Sequence, residues 1–598
     1  MYRAELRDHA ATEPAPSSRL DHIERASRTL WRRRLLVAAL NAATIGALSA
    51  TMFWALFSGG WSVPRVGMFI AFVVTLPWLS IGFWNAIIGV WLIARGGVAN
   101  DPLAIAHNAH APISTRTAVV MAIRNEDPER SIVRLRAIFE DLEASGVADS
   151  FDVHLLSDTD DEALAAREAA AIGAWQSESA RPGQIHYRRR DTNAGYKAGN
   201  IEEFCRRCRD DYAFFLPLDA DSYLSGAAVQ KLVQMMEQNP RLGILQTLVV
   251  GTPSSAFFTR VFQFGMRHGM RAYTAGSAWW TGDCGPYWGH NALIRMRPFE
   301  RACEMPVLPG KGPLGGHIMS HDQVEAVMMR RAGYHVRVIA EEGESWEENP
   351  PSLPDFIRRE LRWCQGNMQY FKLIGMPGLK AVSRIQLALA ILMYLGPPAW
   401  MAFIAFGVAS LFDGVAGGVA PGVGIALFAT IMLMTFAPKI MGVVGILLST
   451  EQSVRYGGRV RVLAGALLEI VMSVLMAPVV AFAIAIFVGG LIFGKKIDWR
   501  AQPRGDRTVG WGEAARSFWP QTLFGASFFA LFAVYAPGVL PWAAPVILGF
   551  VLSIPFAVLT ASPAFGRWSV RTHICDIPED PKRPTPLCRL DAMAPSLA

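Results

Sequence analysis

Tyr212–Asp221 reads YAFFLPLDAD. A short apolar run, closed by two carboxylates one residue apart, has the length and character of a strand buried on both faces. Working outward, the same pattern recurs. Thr117–Ile123 (TAVVMAI) ends in Arg124-Asn125-Glu126-Asp127-Pro128, a polar turn that opens a helix running to about Leu142. Phe151–Leu156 (FDVHLL) ends in Ser157-Asp158, and Asp161–Ala171 continues as a helix. Ile185–Arg189 is a third strand, followed by a helix over Asn200–Cys208. Strands alternating with helices at a spacing of roughly 25–35 residues predict an α/β, doubly wound sheet. Each polar cluster falls at the carboxyl end of a strand, the rim where open α/β sheets bind ligands.

Outside this block the chain changes character. It has 598 residues, 52% apolar and 18% charged, with a net charge of +7 and seven cysteines. Soluble domains average about 25% charged residues. Disorder, collagen and a disulfide-stapled scaffold are excluded by the apolar content, the lack of a Gly-X-Y period and the few, odd-numbered cysteines. Leu35–Phe57 and Val66–Ala94 each exceed the roughly 20 residues that cross a bilayer. Further apolar runs follow at Ile385–Phe412, Val423–Met441, Val462–Phe493, Thr522–Tyr535 and Val539–Leu559. The expected organisation is a basic arm (1–34), two spans (35–94), a soluble block (95–384), about six membrane or interfacial helices (385–560) and a tail (561–598).

Loop charges set the expected orientation. The arm holds eight arginines against five acids, which places it in the cytoplasm. The Ser58–Arg65 link holds one basic residue and reads as external, returning the block to the cytoplasm. The segments Lys439–Arg461 and Lys495–Arg516 are both basic and both internal, so the chain between them crosses an even number of times. Val462–Phe493 is short for two spans and carries Ala477-Pro478 at its middle. It reads as a tight hairpin, or as an interfacial helix with a re-entrant part. With the hairpin the total is eight spans and both termini are cytoplasmic. The reduced compartment suits the five cysteines of the block. Cys205-Arg-Arg-Cys208 has metal-ligand spacing but no second pair nearby, and reads better as part of a helix.

Several residues carry candidate chemistry. Asp219-Ala-Asp221 offers two carboxylates for one hard cation, Mg²⁺ or Mn²⁺. Asp158 is suited to accept hydrogen bonds from a nucleoside, or to cap the next helix. Lys197 lies in Asn193-Ala-Gly-Tyr-Lys-Ala-Gly-Asn200, whose backbone N–H groups at a helix start favour phosphate. In Ser320-His321-Asp322, Asp322 is a candidate base, His321 a second titrating group and Ser320 a helix cap. Arg358-Arg359-Glu-Leu-Arg362-Trp363 places Arg359, Arg362 and Trp363 on nearby helix faces, fit to clamp a diphosphate and stack on a sugar. The same basic helix also reads as one lying on anionic lipid.

Asp158, Asp219-x-Asp221, Ser-x-Asp322 and Arg359-x-x-Arg362-Trp363, in that order and between two groups of spans, resemble the processive family 2 glycosyltransferases: cellulose, chitin and hyaluronan synthases and their relatives. Lys197–Arg207, Tyr287–Arg295, Ser320–Ala326 and Arg362–Asn367 resemble the synthases of osmoregulated periplasmic glucans in particular. His321 stands where cellulose synthases have Glu. The resemblance implies a glycosyltransferase A-type fold, a mixed sheet, and inverting transfer from UDP-glucose onto a growing β-1,2-glucan secreted through the bacterial inner membrane. It puts uridine near Asn125, Glu126, Asp158 and Lys197. Mg²⁺ falls on Asp219 and Asp221, the base is Asp322, and the diphosphate meets Arg359 and Arg362. The acceptor meets Trp288, His290, Asn291 and Trp363. It further implies acyl carrier protein and a periplasmic glucan-biosynthesis protein as partners, and no nucleic acid. Two other readings stay open: a polyprenyl-phosphate glycosyltransferase, and a transporter or receptor with a nucleotide-sensing domain. The few charges within the spans, Glu469 and Lys439 foremost, argue against a driven transporter.

Overall fold

The computed structural model describes residues 16–97, 101–415, 421–497, 505 and 507–593. The first 15 residues of the basic arm and the last five of the tail lie outside the described residues. The soluble block is built on eight strands: β1 (Thr117–Ile123), β2 (Phe151–Ser157), β3 (Ile185–Arg189), β4 (Phe214–Leu218), β5 (Tyr223–Leu224), β6 (Leu242–Gly251), β7 (Ala292–Arg295) and β8 (His335–Glu347). Their order across the sheet is β3-β2-β1-β4-β7-β6-β8-β5. β3, β2, β1 and β4 are parallel, with Thr117 in register with both Phe151 and Phe214. Their carboxyl ends, and the loops after Ile123, Ser157, Arg189 and Leu218, therefore share one rim.

β7 runs antiparallel to both β4 and β6, while β8 runs parallel to β6. The sheet is mixed, as the resemblance implies. Period-2 alternation sends Val119 and Met121 into one core with Phe139, Trp175 and Leu216. Ala118 and Val120 enter the opposite core with Phe204, Phe215 and Val327. That second core continues without interruption into Leu387, Tyr394, Ile484 and Leu491 of the apolar helices. Each such buried side chain contributes about 1.5–3 kcal/mol, so soluble block and helix group are joined by packing rather than by linkers.

Six helices among the described residues are long and apolar enough to cross a membrane: Ala26–Phe57, Val63–Ala94, Ala381–Phe412, Gly422–Leu448, Arg459–Ile492 and Trp511–Tyr535. A seventh candidate is the pair Pro537–Val551 and Ser553–Thr560, bent by 60°. The hairpin expected over Val462–Phe493 is not formed. Arg459–Ile492 is one continuous helix that carries Pro478 inside it. Proline removes one backbone donor and kinks a helix without having to end it when neighbours pack around it. Here the Pro478 ring lies against the position of Gly549. The flanks of this long helix nevertheless meet the same body. Tyr456, just before it, packs on Phe264 with ring centroids 6.0 Å apart. Ile497, just after it, donates its N–H to Gln365 Oε1 at 2.9 Å. The two basic segments therefore both touch the soluble block.

The tail also returns to the soluble block. Arg260, on the helix Phe257–Thr281, donates to Asp576 at 2.5 Å, and Arg589 donates to Asp141 at 2.5 Å.

Candidate active site

The four parallel strand ends, the loop after Thr281 and the helix Leu353–Met368 enclose a cleft of about 250 Å³. Asp158, Lys197, Asp219, Asp221, Trp288, His290, Asp322, Arg359, Arg362 and Trp363 all line it, together with Glu126. Residues separated by more than 200 positions thus meet on one rim.

Several of these side chains are held by partners that carry no motif of their own in the sequence. Asp158 accepts a two-pronged pair from Arg190, Nε at 2.6 Å and Nη2 at 2.8 Å. Arg190 also donates to the carbonyls of Ala194 and Tyr196, at 3.2 and 3.1 Å. One guanidinium therefore ties the end of β2 to the loop before Lys197. The helix cap proposed for Asp158 is instead Asp161, whose carboxylate accepts from Ala163 and Leu164.

Lys197 sits in the first turn of the helix Tyr196–Cys208, entered through Gly195 and Tyr196 in left-handed conformations (φ 72° and 57°). Its ammonium donates to Asp219 and, at 2.8 Å, to Gly289 O. Ser222 Oγ accepts from the Asp219 N–H at 3.1 Å and lies 3.1 Å from His290 Nδ1. The other ring nitrogen of His290 is 3.2 Å from Glu347. Burial opposes charge on His290, but Asp219 and Glu347 overcome it and hold its imidazole up at about 9. Glu347 ends β8, Glu348 follows it directly, and both line the cleft. Glu348 is clamped by Arg134 and, at 2.9 Å, by Arg130. An acidic pair closing a strand was the available signal for both.

Asp322 is the first residue of the helix Asp322–Arg331. Ser320 does not cap that helix: the capping position is His321, without a side-chain bond to the helix start. His321 Nδ1 lies 2.9 Å from buried Glu325. The helix Leu353–Met368 fixes this loop from behind. A Cβ at Gly366 would come within 2.2 Å of Ser320 Oγ, so only glycine permits the approach. Tyr370 OH donates to Ser320 O at 2.9 Å. From the cleft-facing side of the same helix, Arg359 stacks over Trp363 at 4.5 Å, and Trp363 remains 46% exposed, open to a ligand.

Two expected contacts are not placed in the cleft. Asn125 (φ 51°) donates to Asp160 Oδ1 at 2.6 Å, and its Oδ1 accepts from the Asp160 N–H. It clamps two rim loops together. Asn291 (φ 51°) is fully buried and donates to Ser345 Oγ and Trp346 O. Both are left-handed turn residues: the Asn125 amide is consumed by Asp160, and the Asn291 NH₂ by Ser345 and Trp346, while Asn291 Oδ1 is buried without a partner. The predicted Cys205 is buried in the core and Cys208 half-buried on the same helix.

Asp219 and Asp221 fit a hard divalent cation. Both are oxygen donors at a strand end, and a lysine ammonium already rests against Asp219, so this corner is built around positive charge. A second group, Asp152, His154 and His186, has ligand atoms within 4.8 Å of one another. Asp152 is already bonded to Arg116 and Tyr212, both at 2.5 Å, and the two imidazoles stack at 19° rather than converge. The rim pair is the better candidate.

Glycosyl transferase family 2 matches residues 119–302, and Glycosyl transferase family group 2 matches residues 214–493. A glucans biosynthesis glucosyltransferase H of Xanthomonas campestris is 35% identical over 590 residues, 95% of this chain and 91% of the relative. The protein of the same name in Pseudomonas putida F1 is 36% identical over 88% of this chain, which spans 63% of that relative's length. A mannosyltransferase of Pyrobaculum calidifontis, solved with GDP-Man and Mn²⁺, covers 63% of this chain and 98% of its own at 16% identity and TM-score 0.41. By its likeness to the Xanthomonas protein over nearly the whole of both chains, this chain belongs to the glucans biosynthesis glucosyltransferase H family, within glycosyl transferase family 2.

Proposed function

We propose that this chain is an inner-membrane synthase that transfers glucose from UDP-glucose, with inversion, onto a growing β-1,2-glucan and moves the product outward. The observation that carries the reading is the convergence of Asp158, the Asp219–Asp221 pair, Asp322 and the Arg359–Trp363 segment on one cleft, beside a group of apolar helices.

Each residue has a role that its surroundings suit. Asp158, held rigid by Arg190, accepts hydrogen bonds from the nucleoside, with Glu126 beside it. Lys197 meets the diphosphate and exchanges its present partner Asp219 for it. A divalent cation held by Asp219 and Asp221 would neutralise charge on the departing diphosphate. Arg359 and Arg362 supply further positive charge to the same leaving group. Asp322 takes the proton of the acceptor hydroxyl as that oxygen attacks C1 from the face opposite the leaving UDP. Trp288, His290 and Trp363 flank the acceptor sugar.

The test is to offer purified protein in bilayer nanodiscs radiolabelled UDP-sugars one at a time and to analyse product linkage. The expected product is a water-soluble β-1,2-glucan made from UDP-glucose without a lipid-linked intermediate. Incorporation of another sugar, a glucosyl lipid, or no UDP release at all overturns the reading.

A further inference from the structure

The helix Leu353–Met368 has two working faces. Arg359, Arg362 and Trp363 face the cleft. Pro354, Ile357, Arg358 and Leu361, spaced i, i+3, i+4, i+7, line a second cavity of about 500 Å³. The remaining wall comes from the far end of the long helix Arg459–Ile492, from Lys496 and Ile497, and from the first turns of Trp511–Tyr535.

Three features describe what fits there. The wall is apolar where Ile357, Leu361, Ala483 and Phe518 meet. Two cations, Arg358 and Lys496, stand in its lining from different elements. The neighbouring acids leave a positive balance: Asp355 lies 3.6 Å from Arg358 and 2.6 Å from Arg507, Arg507 also meets Glu513 at 2.5 Å, and with Lys496 three cations stand against two carboxylates. Finally Gln521, 5% exposed, brings a polar side chain to the same wall.

The depth of the cavity is marked by Trp511 and Trp519, 60% and 58% exposed on the helix that forms one wall. Exposed tryptophans at the start of an apolar helix lie at the headgroup level of a bilayer. We infer that this cavity is a binding site for an anionic phospholipid whose headgroup carries hydroxyls, phosphatidylglycerol in type. Its phosphate lies between Arg358 and Lys496, its headgroup rests beside the Gln521 side chain, and an acyl chain covers the apolar wall. Arg358 precedes Arg359, so the occupied site ties the position of the cleft helix to the membrane surface. The site is separate from the cleft and stands whatever sugar the cleft transfers.

The experiment is native mass spectrometry of the full chain released from nanodiscs of phosphatidylcholine with phosphatidylglycerol or with phosphatidylethanolamine. Wild type is expected to retain phosphatidylglycerol selectively. Arg358→Gln with Lys496→Gln should cut that retention by about 30-fold, from about 1 kcal/mol for each cation near the surface. Ala483→Trp, which keeps both charges and fills the cavity, should cut it as far. An unchanged UDP affinity in each variant shows that the fold survives. Equal retention in both variants, retention of phosphatidylethanolamine as tightly, or displacement by millimolar inorganic phosphate each overturns the proposal. A labelled glucan cross-linking to Phe518 overturns it as well, by making the cavity a sugar path.

Discussion

The carboxyl rim of the sheet and the group Asp152–His154–His186 hold the same chemistry in two forms. Each brings aspartate, histidine, arginine and a hydroxyl within bonding distance. At the rim Asp219 keeps 39% of its side chain exposed, facing a cleft lined by residues from eight separate segments. In the other group Asp152 keeps 4%, closed in by Arg116 and Tyr212. The difference teaches that residue type does not mark a site. What marks it is that charged groups converge on open space, while the buried group is walled off from it, with one Asp152 oxygen bonded to Arg116 and Tyr212 and the other buried without a partner.

The sharpest way to break this comparison is Asp322→Asn. It should lower glucose transfer by about 10²–10⁴-fold while leaving UDP affinity intact; normal turnover removes Asp322 as the base. Next, Asp221→Ala should abolish the metal-dependent part of UDP binding, measured by calorimetry with and without Mg²⁺. The same titration on Asp152→Asn should show no change, and a loss of metal dependence there would reverse the assignment of the two regions.

Arg190→Gln is expected to act on the donor rather than on the chemistry. Asp158 is then buried without its counter-ion, so KM for the donor should rise about tenfold with kcat little changed. An equal fall in kcat would place Arg190 at the reacting centre. The smallest effect concerns acid stability. Burial, with help from His186, Arg188 and Arg116, pulls His154 down to about 3 from its ordinary 6.5. Between those pH values the unfolded chain binds a proton that the folded chain refuses, so stability falls as pH drops through that window. His154→Gln should flatten this acid limb in a thermal-melt series, and an unchanged limb denies the buried imidazole that role.

The parallel half of the fold was legible because β1, β2 and β4 are mainly apolar runs with polar ends, and β3, polar in itself, falls where the strand–helix alternation expects it. β3 matches its predicted bounds, Ile185–Arg189, and β1 its own, Thr117–Ile123. The antiparallel half was not. β8 is thirteen residues of alternating burial rich in glutamate, and β7 is four residues long. The helix Phe257–Thr281 mixes arginine and histidine with aromatics, so it carries neither a span signal nor a clean soluble one. Arg190 and Glu347 escaped notice because each acts through a partner, Asp158 at 32 positions and His290 at 57, and no local pattern announces such pairs.

The sequence by itself determined the two apolar helix groups, the soluble α/β block between them and the order of the chemical motifs. Those are properties of local composition and spacing, and local physics suffices to read them. Only the tertiary structure decided that Val462–Phe493 is one helix with both flanks on the same body. It also decided that Asn125 and Asn291 support loops rather than face the cleft, and that one arginine-bearing helix serves two cavities. Each of these turns on which distant group satisfies a polar atom or covers an apolar face, and that is settled by packing in three dimensions.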